Sequence, residues 1–326
     1  MRPFLFALAV STLLLGQGVV QYAAKVDSGL PSYTPAQAVD TVIECVGSDA
    51  LTDVWDEWKL GFLTQQPQAK FKVTQTLTSV SLKALMDGTV SLIHLPREMT
   101  VEEYQAFEKK YGYPATKLVV CYDAFIVFVN PANPIRDIGM DQLDAVYSTT
   151  HNAGYRTDIP VDTWGDLGVR GDFTKRPIRA YMRAEGTAAR PLIRDVVMLK
   201  GKYKTSIIDR VDWPGIAEAV MTDASGIGIS TLSSWLSRNK ILAVTPLQAK
   251  EPVPPNQENV VTGKYPLSRT YYFYLNREPG KALPPQISEF LQYVLSQQGQ
   301  TAVTQASLYP LPAEIAALGR RRLRSN

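Results

Sequence analysis

The chain has 326 residues, more than the roughly 100–200 of a typical single domain, so the sequence predicts two lobes. Hydrophobic residues make up 45% and charged residues 20%, as expected for a globular chain with an ample core. The net charge is only +3, and no basic stripe runs through the body, which excludes the usual pattern of a nucleic-acid binder. Two histidines and two cysteines provide little material for a metal cluster, so we expect neither a metal nor another cofactor.

The N-terminus has the pattern of a secretory signal peptide. A positive start at Met1–Pro3 precedes the apolar run Phe4–Leu15, and small residues follow at Gly18 and Ala23–Ala24. This order of charge, apolar run and small residues is typical of exported proteins. The run is too short for a membrane span, which needs about 20 apolar residues. We therefore expect residues 1–24 to be a signal peptide.

Export would place Cys45 and Cys121 in an oxidising compartment, where a disulfide is permitted. Both cysteines lie in apolar, strand-like runs, Val42–Val46 and Leu118–Val129. A bridge requires Cα atoms within about 7 Å, which the sequence does not show. Buried free thiols are the favoured interpretation, and a disulfide is the alternative.

Predicted strands and helices alternate through the first part of the chain. Thr41–Val46, Lys70–Leu77 and Ser91–Leu95 are the predicted strands. Apolar residues at helical spacing follow the first strand, and Thr100 with Glu103 forms a capping box after the third. This order predicts an α/β fold in which helices cover a mainly parallel sheet.

Two of the strand-to-helix turns carry hydroxyl groups, Gly47–Asp49 and Thr78–Ser81. Ligands of parallel sheets bind beyond the carboxyl ends of the strands. There, free N–H groups and the helix dipole attract anions. Ordinary helix capping uses the same residues, so these turns alone leave an anion site and plain capping both open.

The long apolar run Leu118–Asn130 ends in a turn cluster and is interpreted as the crossing into a second lobe. Further strands are predicted beyond it at Arg176–Arg183, Ser225–Thr231 and Tyr271–Leu275. Apolar residues at helical spacing, such as Ile287–Leu295, predict helices between and after these strands.

Taken together, these segments resemble the substrate-binding proteins of phosphate-type ABC transporters. The segments that carry the resemblance, in chain order, are Val46–Asp49, Pro96–Thr100, Asp123–Asn130, Asn133–Pro134, Tyr147–Gly165, Glu185–Thr187, Tyr265–Arg269 and Glu289–Pro312. The resemblance implies the two-lobed type II periplasmic-binding-protein fold, in which crossing hinge strands join two α/β lobes. It places the hinges near Asp123–Phe125 and Leu242–Pro246.

The same resemblance divides the chain into five parts. Residues 1–24 are the signal peptide, residues 25–124 begin lobe 1, and residues 125–242 form lobe 2. Residues 243–318 return to lobe 1, and residues 319–326 form a basic tail. We expect the arginines of this tail to lie on a frayed, solvated end, although an acidic membrane surface is the alternative.

The implied function is capture of phosphate or a related oxyanion between the lobes, for ABC transport or signalling. The implied partners are this anion and the membrane subunits of an ABC transporter. The resemblance also implies a monomeric periplasmic protein without enzymatic activity. Two alternatives remain: a degenerate homologue that acts as an interaction module without binding an oxyanion, and a secreted phosphohydrolase. A hydrolase would require a nucleophile with a base or a metal, and neither His94 nor His151 lies in such a motif.

Carried over residue by residue, the resemblance implies an anion site of hydroxyls, backbone N–H groups and arginine. Its members are Ser48, Asp49, Ser79, Ser81, Arg97, Arg183, Glu185, Gly186 and Thr187. Arg183 is either the bidentate anion clamp or an ordinary paired arginine.

Four positions depart from the family pattern. Ala50 and Pro96 stand where the family usually has hydroxyl residues, and Val80 adds bulk to the second turn. Glu185 replaces a hydroxyl donor with a carboxylate. That carboxylate either accepts the proton of hydrogen phosphate, or the site no longer prefers phosphate.

Overall fold

The structure is a computed structural model that describes residues 22, 24–157, 159–187, 189–234 and 238–324. Apart from Tyr22 and Ala24, the predicted signal peptide lies outside the described residues. The last two residues of the predicted tail also lie outside them. Within the described part of the chain, no helix is both long and apolar enough to cross a membrane.

The described residues form eleven strands and ten α-helices, numbered here in chain order. The strands are β1 (Val42–Gly47), β2 (Lys70–Gln75), β3 (Leu92–Leu95), β4 (Thr116–Val129), β5 (Asp137–Gly139), β6 (Arg179–Arg183), β7 (Ile208–Arg210), β8 (Gly226–Thr231), β9 (Lys240–Ile241), β10 (Ala243–Thr245) and β11 (Ser268–Leu275). The helices are α1 (Thr52–Gln65), α2 (Thr78–Asp87), α3 (Val101–Tyr111), α4 (Met140–Tyr147), α5 (Ala189–Val197), α6 (Trp213–Thr222), α7 (Gln257–Val261), α8 (Pro285–Val294), α9 (Gln297–Gln305) and α10 (Ala313–Arg324).

The main sheet has the strand order β2-β1-β3-β11-β4-β8-β6-β7, and β9 pairs with β4 beside it. Strands β1, β2 and β3 are parallel, as are β6, β7 and β8. The central strands β4 and β11 run antiparallel to each other and to their outer neighbours β8 and β3. The predicted α/β fold with parallel sheets flanked by helices is therefore confirmed. Below, lobe 1 means the part around β1–β3, and lobe 2 means the part around β6–β8.

Strand β4 passes from one lobe to the other without a break. Its residues up to Ala124 pair with β11, and from Phe125 onward they pair with β8. The register of β4 and β11 shifts at Val120, which leaves Asp123 directly opposite Arg269. Because a bulge of this kind bends a strand and re-aims its side chains, it helps to define the crossing.

The second predicted hinge, Leu242–Pro246, does not cross between the lobes. Strand β10 within it pairs with β5, which lies in the second-lobe part of the chain. The chain therefore remains with lobe 2 beyond the predicted boundary at residue 242, and it has returned to lobe 1 by β11, which pairs with β3 and with the first half of β4. A short apolar run predicts a strand but not its partner, which explains the misplacement.

A cluster of aromatic side chains forms the core of lobe 1. The ring of Trp55 stacks on Phe290 at 5.1 Å between centroids, and Trp58 donates its indole N–H to the Gly299 carbonyl at 2.9 Å. Both tryptophans lie on the predicted apolar face of α1. Cys45 and Cys121 are buried free thiols, which confirms the favoured interpretation.

The expectation of a frayed basic end is wrong for the described part of the tail, which extends to Arg324. Residues Ala313–Arg324 form helix α10, in which Ala316, Gly319 and Leu323 are buried. These positions recur at helical spacing on one face. Arg320 donates to the Leu295 carbonyl at 2.6 Å, so an arginine of the run itself ties the helix to lobe 1.

Candidate functional site

The carboxyl ends of the parallel strands in the two lobes face each other across the crossing. Leu95 ends β3 and pairs with Tyr272, so Ser268–Tyr271 extends beyond that edge of lobe 1. Thr231 ends β8 and pairs with Phe125, the neighbour of Ala124. Because α/β sheets bind ligands beyond the carboxyl ends of their strands, the cleft between the lobes is the candidate site.

The first turn, after β1, is fixed from beneath by His94. The Nε2 atom of His94 lies 2.7 Å from the Ser48 carbonyl, and its Nδ1 atom accepts the indole N–H of Trp55 at 3.2 Å. A carbonyl only accepts and an indole N–H only donates, so the ring is neutral and protonated on Nε2. Burial lowers the pKa of His94 to about 4, although the Ser48 carbonyl opposes this shift.

Ser48 and Asp49 follow directly at the carboxyl end of β1. Ser48 is buried and caps the short 3₁₀ helix Asp49–Leu51, accepting the Ala50 N–H at 3.2 Å. The Ser48 hydroxyl also lies 3.3 Å from the Asp49 carboxylate. Gly47 permits the close packing, because a Cβ there would lie 2.2 Å from His94 Nδ1.

The two serines predicted for the site in the second turn, at the start of α2, have different surroundings. Ser79 is exposed, whereas Ser81 is fully buried and donates its hydroxyl to the Leu77 carbonyl at 3.2 Å. The Ser81 hydroxyl therefore satisfies the backbone of its own helix. Ser79 is the serine of this turn that remains accessible to a ligand.

Arg97 is held by a carboxylate of its own lobe. Its two terminal nitrogens each lie 2.8 Å from an oxygen of Glu103, and Nη1 also donates to the Glu98 carbonyl at 2.8 Å. Glu103 completes the predicted capping box of α3 with Thr100. This arginine lowers the pKa of Glu103. An anion at Arg97 would have to compete with a bidentate, charge-assisted pair.

A carboxylate from β7 also lies against the third turn, after β6. Asp209 accepts the Glu185 N–H at 3.3 Å and pairs with Arg190. Glu185 itself is exposed, and Gly186 adopts a left-handed backbone with φ of 84°. Thr187 donates its hydroxyl to the Ala184 carbonyl at 2.8 Å. The donors of this turn are thus partly engaged within the protein.

Arg183 presents a guanidinium at the end of β6. Its guanidinium carbon lies 5.1 Å from the ring centre of Trp213, within the range of a cation–π contact. Its Nε atom is buried and has no hydrogen-bond partner. Of the two predicted arginines, Arg183 has the N–H donor without a protein acceptor.

Three polar side chains meet on the crossing strands, and we call them the crossing cluster: Asp123, Arg269 and Tyr271. The Arg269 Nη1 atom lies 3.4 Å from Asp123 Oδ2, and the Tyr271 hydroxyl donates to the same oxygen at 3.2 Å. Asp123 is only 1% exposed. Burial raises the pKa of Asp123, and Arg269 opposes that shift. Neither Asp123 Oδ1 nor Arg269 Nε has a hydrogen-bond partner.

Cation–π and aromatic contacts connect the crossing cluster to the third turn. The Arg269 guanidinium lies 4.4 Å from the ring centre of Phe125, and Phe125 lies 5.9 Å from Trp213. Trp213 in turn carries Arg183. Two guanidinium groups, that of Arg183 at the end of β6 and that of Arg269 on β11, are therefore linked through two aromatic rings.

Only some of the site residues predicted from the sequence lie at the cleft. Ser48, Asp49, Ser79 and Arg183 lie at the strand ends that face the cleft, whereas Ser81 and Arg97 are engaged within lobe 1. The crossing cluster was absent from the predicted site. The sequence signal that could have revealed it is the presence of Asp123 and Arg269 in otherwise apolar strands. Charged side chains are rarely buried unless they are paired. Among the described residues, no group of three or more His, Cys, Asp or Glu is arranged to hold a metal.

Comparison with known proteins gives consistent matches over almost the whole chain. Residues 31–298 match the PBP superfamily domain. The chain is 33% identical over 308 residues to the phosphate-binding protein PstS of Pseudomonas aeruginosa, which covers 94% of this chain and 95% of that protein.

Two solved structures share the fold at low sequence identity. A possible phosphate binding protein from Planctomyces limnophilus has a TM-score of 0.69 and 18% identity, covering 88% of this chain and 99% of that one. An ABC-type phosphate transport receptor from Vibrio cholerae has a TM-score of 0.65 and 16% identity, covering 82% of this chain and 100% of that one.

Proposed function

The chain belongs to the PBP superfamily and to the family of the phosphate-binding protein PstS, and on this premise we propose that it binds phosphate or a related oxyanion between its lobes. It then delivers the anion to the membrane subunits of an ABC transporter. The observation that carries the proposal is the Arg183 guanidinium at the cleft, which is stacked on Trp213 and has a buried Nε without a partner.

The anion is bound by local donors, because the net charge of +3 over 326 residues is too small to attract it. Ser48 and the turn after it, Ser79 at the start of α2, and Gly186 with Thr187 supply hydroxyl and N–H groups. Such groups replace the water that a buried anion loses. Asp49, Ser81, Arg97 and Glu185 complete the proposed site. Ser81, Arg97 and the Thr187 hydroxyl must exchange their present partners to contact the ligand.

Residues 1–24 direct the protein to the periplasm in this proposal, where it acts as a receptor and not as an enzyme. Both histidines support the receptor role, because each has a structural partner. His94 lies between Trp55 and Ser48, and the Nδ1 atom of His151 lies 3.0 Å from the Arg156 carbonyl.

Calorimetric titration tests the proposal directly. Ligand-stripped protein should bind phosphate with a Kd of about 1 µM or tighter, equivalent to about −8 kcal/mol. Arsenate and sulfate serve as comparison anions. Absence of binding to all three would contradict the proposal and favour the degenerate homologue. Turnover of a generic phosphate ester would instead support the phosphohydrolase.

Arg183→Ala should abolish anion binding while the protein stays folded. The matched control is Arg179→Ala on the same strand, because Arg179 starts β6 at the end away from the cleft and pairs with Asp223. The control should bind phosphate like the parent protein. Equal affinity of the two variants would remove Arg183 from the site.

A further inference from the structure

A cavity of about 420 Å³ lies on lobe 1, apart from the cleft. Its volume is in the range of small-molecule binding sites. The cleft faces the Ser268 end of β11, whereas the cavity lies at the Leu275 end, where Thr116 and Arg277 line it. The strand has 8 residues, so its two ends are about 23 Å apart at about 3.3 Å per residue. The cavity is therefore separate from the proposed anion site.

Three cations from different parts of the chain line this cavity, which we call the basic pocket: Lys117 at the start of β4, Arg277 after β11 and Arg322 in the last turn of α10. Arg277 Nη1 donates to the carbonyls of Arg322 and Leu323 at 2.9 and 3.1 Å, and its Nε atom donates to the Lys281 carbonyl at 3.0 Å. Arg322 Nη1 donates to the Lys117 carbonyl at 2.7 Å. Backbone carbonyls, which carry no net charge, thus hold both guanidinium groups in place.

Most of the charge in the basic pocket is not neutralised by the protein. Glu98 pairs with Lys117, and Glu278, the neighbour of Arg277, pairs with a different lysine. Within the part of the chain that the structure describes, neither Arg277 nor Arg322 forms an ion pair with a carboxylate; their hydrogen bonds go to carbonyls. Like charges that converge on one cavity repel each other, and a bound dianion would turn this repulsion into attraction.

The charge and size of the basic pocket define the class of ligand. Guanidinium groups bind phosphate and carboxylate oxygens in a bidentate manner. A phosphate monoester carries nearly two negative charges on a single group near neutral pH, which matches the two guanidinium groups better than a carboxylate does. At roughly 30 Å³ for each heavy atom, a phosphate group fills only part of the cavity. The rest, beside Tyr104, Pro114 and Pro279, has room for an organic group.

We propose that the basic pocket is a second anion site, which binds the phosphate group of a small soluble phosphate monoester. Arg277 and Arg322 contact the phosphate oxygens, and the organic part lies against Tyr104 and the two prolines. The inference is independent of the proposed function, because no residue of the cleft takes part in it. The pocket can therefore be occupied whether or not an anion is bound between the lobes.

Calorimetric titration with glycerol 3-phosphate tests the inference, at low ionic strength so that charges at the surface are little screened. About 0.1 mM inorganic phosphate fills a cleft of micromolar Kd beforehand. One monoester per chain should then bind with a Kd of about 1 mM or tighter. Arg183→Ala, which should lose the cleft site, should bind the monoester as the parent protein does. Absence of binding up to about 10 mM, or its loss in Arg183→Ala, would overturn the inference.

Two variants test the guanidinium groups. Arg277→Gln and Arg322→Gln should each weaken binding of the monoester by about tenfold or more, because each removes a charge that contacts the phosphate group. The matched control is Arg179→Gln, a paired arginine of lobe 2, which should leave the affinity unchanged. Arg277 also holds the end of α10, so the exposed Arg322 decides the test if Arg277→Gln does not fold. Equal affinity of Arg322→Gln and the control would contradict the assignment.

Two further anions test the class of ligand on the parent protein. Glycerate has a similar organic part but a single negative charge, so it should bind at least about tenfold more weakly than glycerol 3-phosphate. Equal affinity for these two anions, or tighter binding of the dicarboxylate succinate, would overturn the phosphate monoester as the ligand. Absence of inorganic phosphate binding in the cleft would refute the proposed function and leave the result for the basic pocket unaffected.

Discussion

Acidification should destabilise the protein through His94, whose ring supports the first turn of the cleft. Burial holds the pKa of His94 at about 4, against an ordinary value of 6.5. Between these values the unfolded chain binds a proton that the folded protein does not bind. The free energy of unfolding therefore falls as the pH falls below about 6.5, and the loss levels off near pH 4.

The size of this loss follows from the pKa difference. Each unit corresponds to about 1.4 kcal/mol, so the shift from 6.5 to about 4 gives a loss of about 3 kcal/mol. Typical domains have unfolding free energies of about 5–15 kcal/mol. Protonation of one buried ring would then remove a substantial part of the total stability.

Urea unfolding at pH 7 and at about pH 4.5 measures the effect, with His94→Gln as the control that cannot titrate there. Carboxyls with a lowered pKa, such as Glu103, also lose stability on acidification, and the comparison cancels their contribution. The parent protein should lose about 2–3 kcal/mol more than the variant over this interval. Equal losses would refute the reasoning. A histidine NMR titration of the parent protein gives the same answer if the variant does not fold.

Three further predictions concern the turns and the thiols. Gly47→Ala should lower the free energy of unfolding by about 1–3 kcal/mol or more, because the added Cβ would overlap the His94 ring; an unchanged urea midpoint would contradict this. Trp213→Ala should weaken phosphate binding by about 2- to 30-fold, because it removes the cation–π support of Arg183, and Trp213→Phe should restore part of the loss in calorimetry. The two cysteines should react with a thiol reagent only after unfolding, since both are 0% exposed and burial raises their pKa; rapid modification of the folded protein would exclude buried thiols.

Local signals in the sequence predicted the elements well. The Thr100–Glu103 capping box forms at the start of α3, and the apolar run Leu118–Asn130 becomes the crossing strand β4. Both depend on residues that are close in sequence. The fold class followed from such elements, because alternating strands and helices permit few arrangements.

Contacts between distant residues account for what the sequence did not reveal. Asp209 reaches Glu185 from another strand, and Arg269 meets Asp123 only through the pairing of β11 with β4. Arg97 was predicted to be free for an anion, but the same Glu103 that caps α3 also binds its guanidinium. Residue types show the capacity for a contact, and the tertiary structure decides which contact is made.

The register shift at Val120 makes the middle of β4 intolerant of changes in length. Side chains of a strand alternate between its two faces, so loss or gain of one residue reverses every position on one side of the change. Deleting Val120 would remove the extra residue opposite Tyr271 and Tyr272. Either the lobe 1 core would then present its apolar face to the wrong side, or Asp123 would lose its position opposite Arg269. A change in length within this strand is therefore more disruptive to the crossing than one in a surface loop.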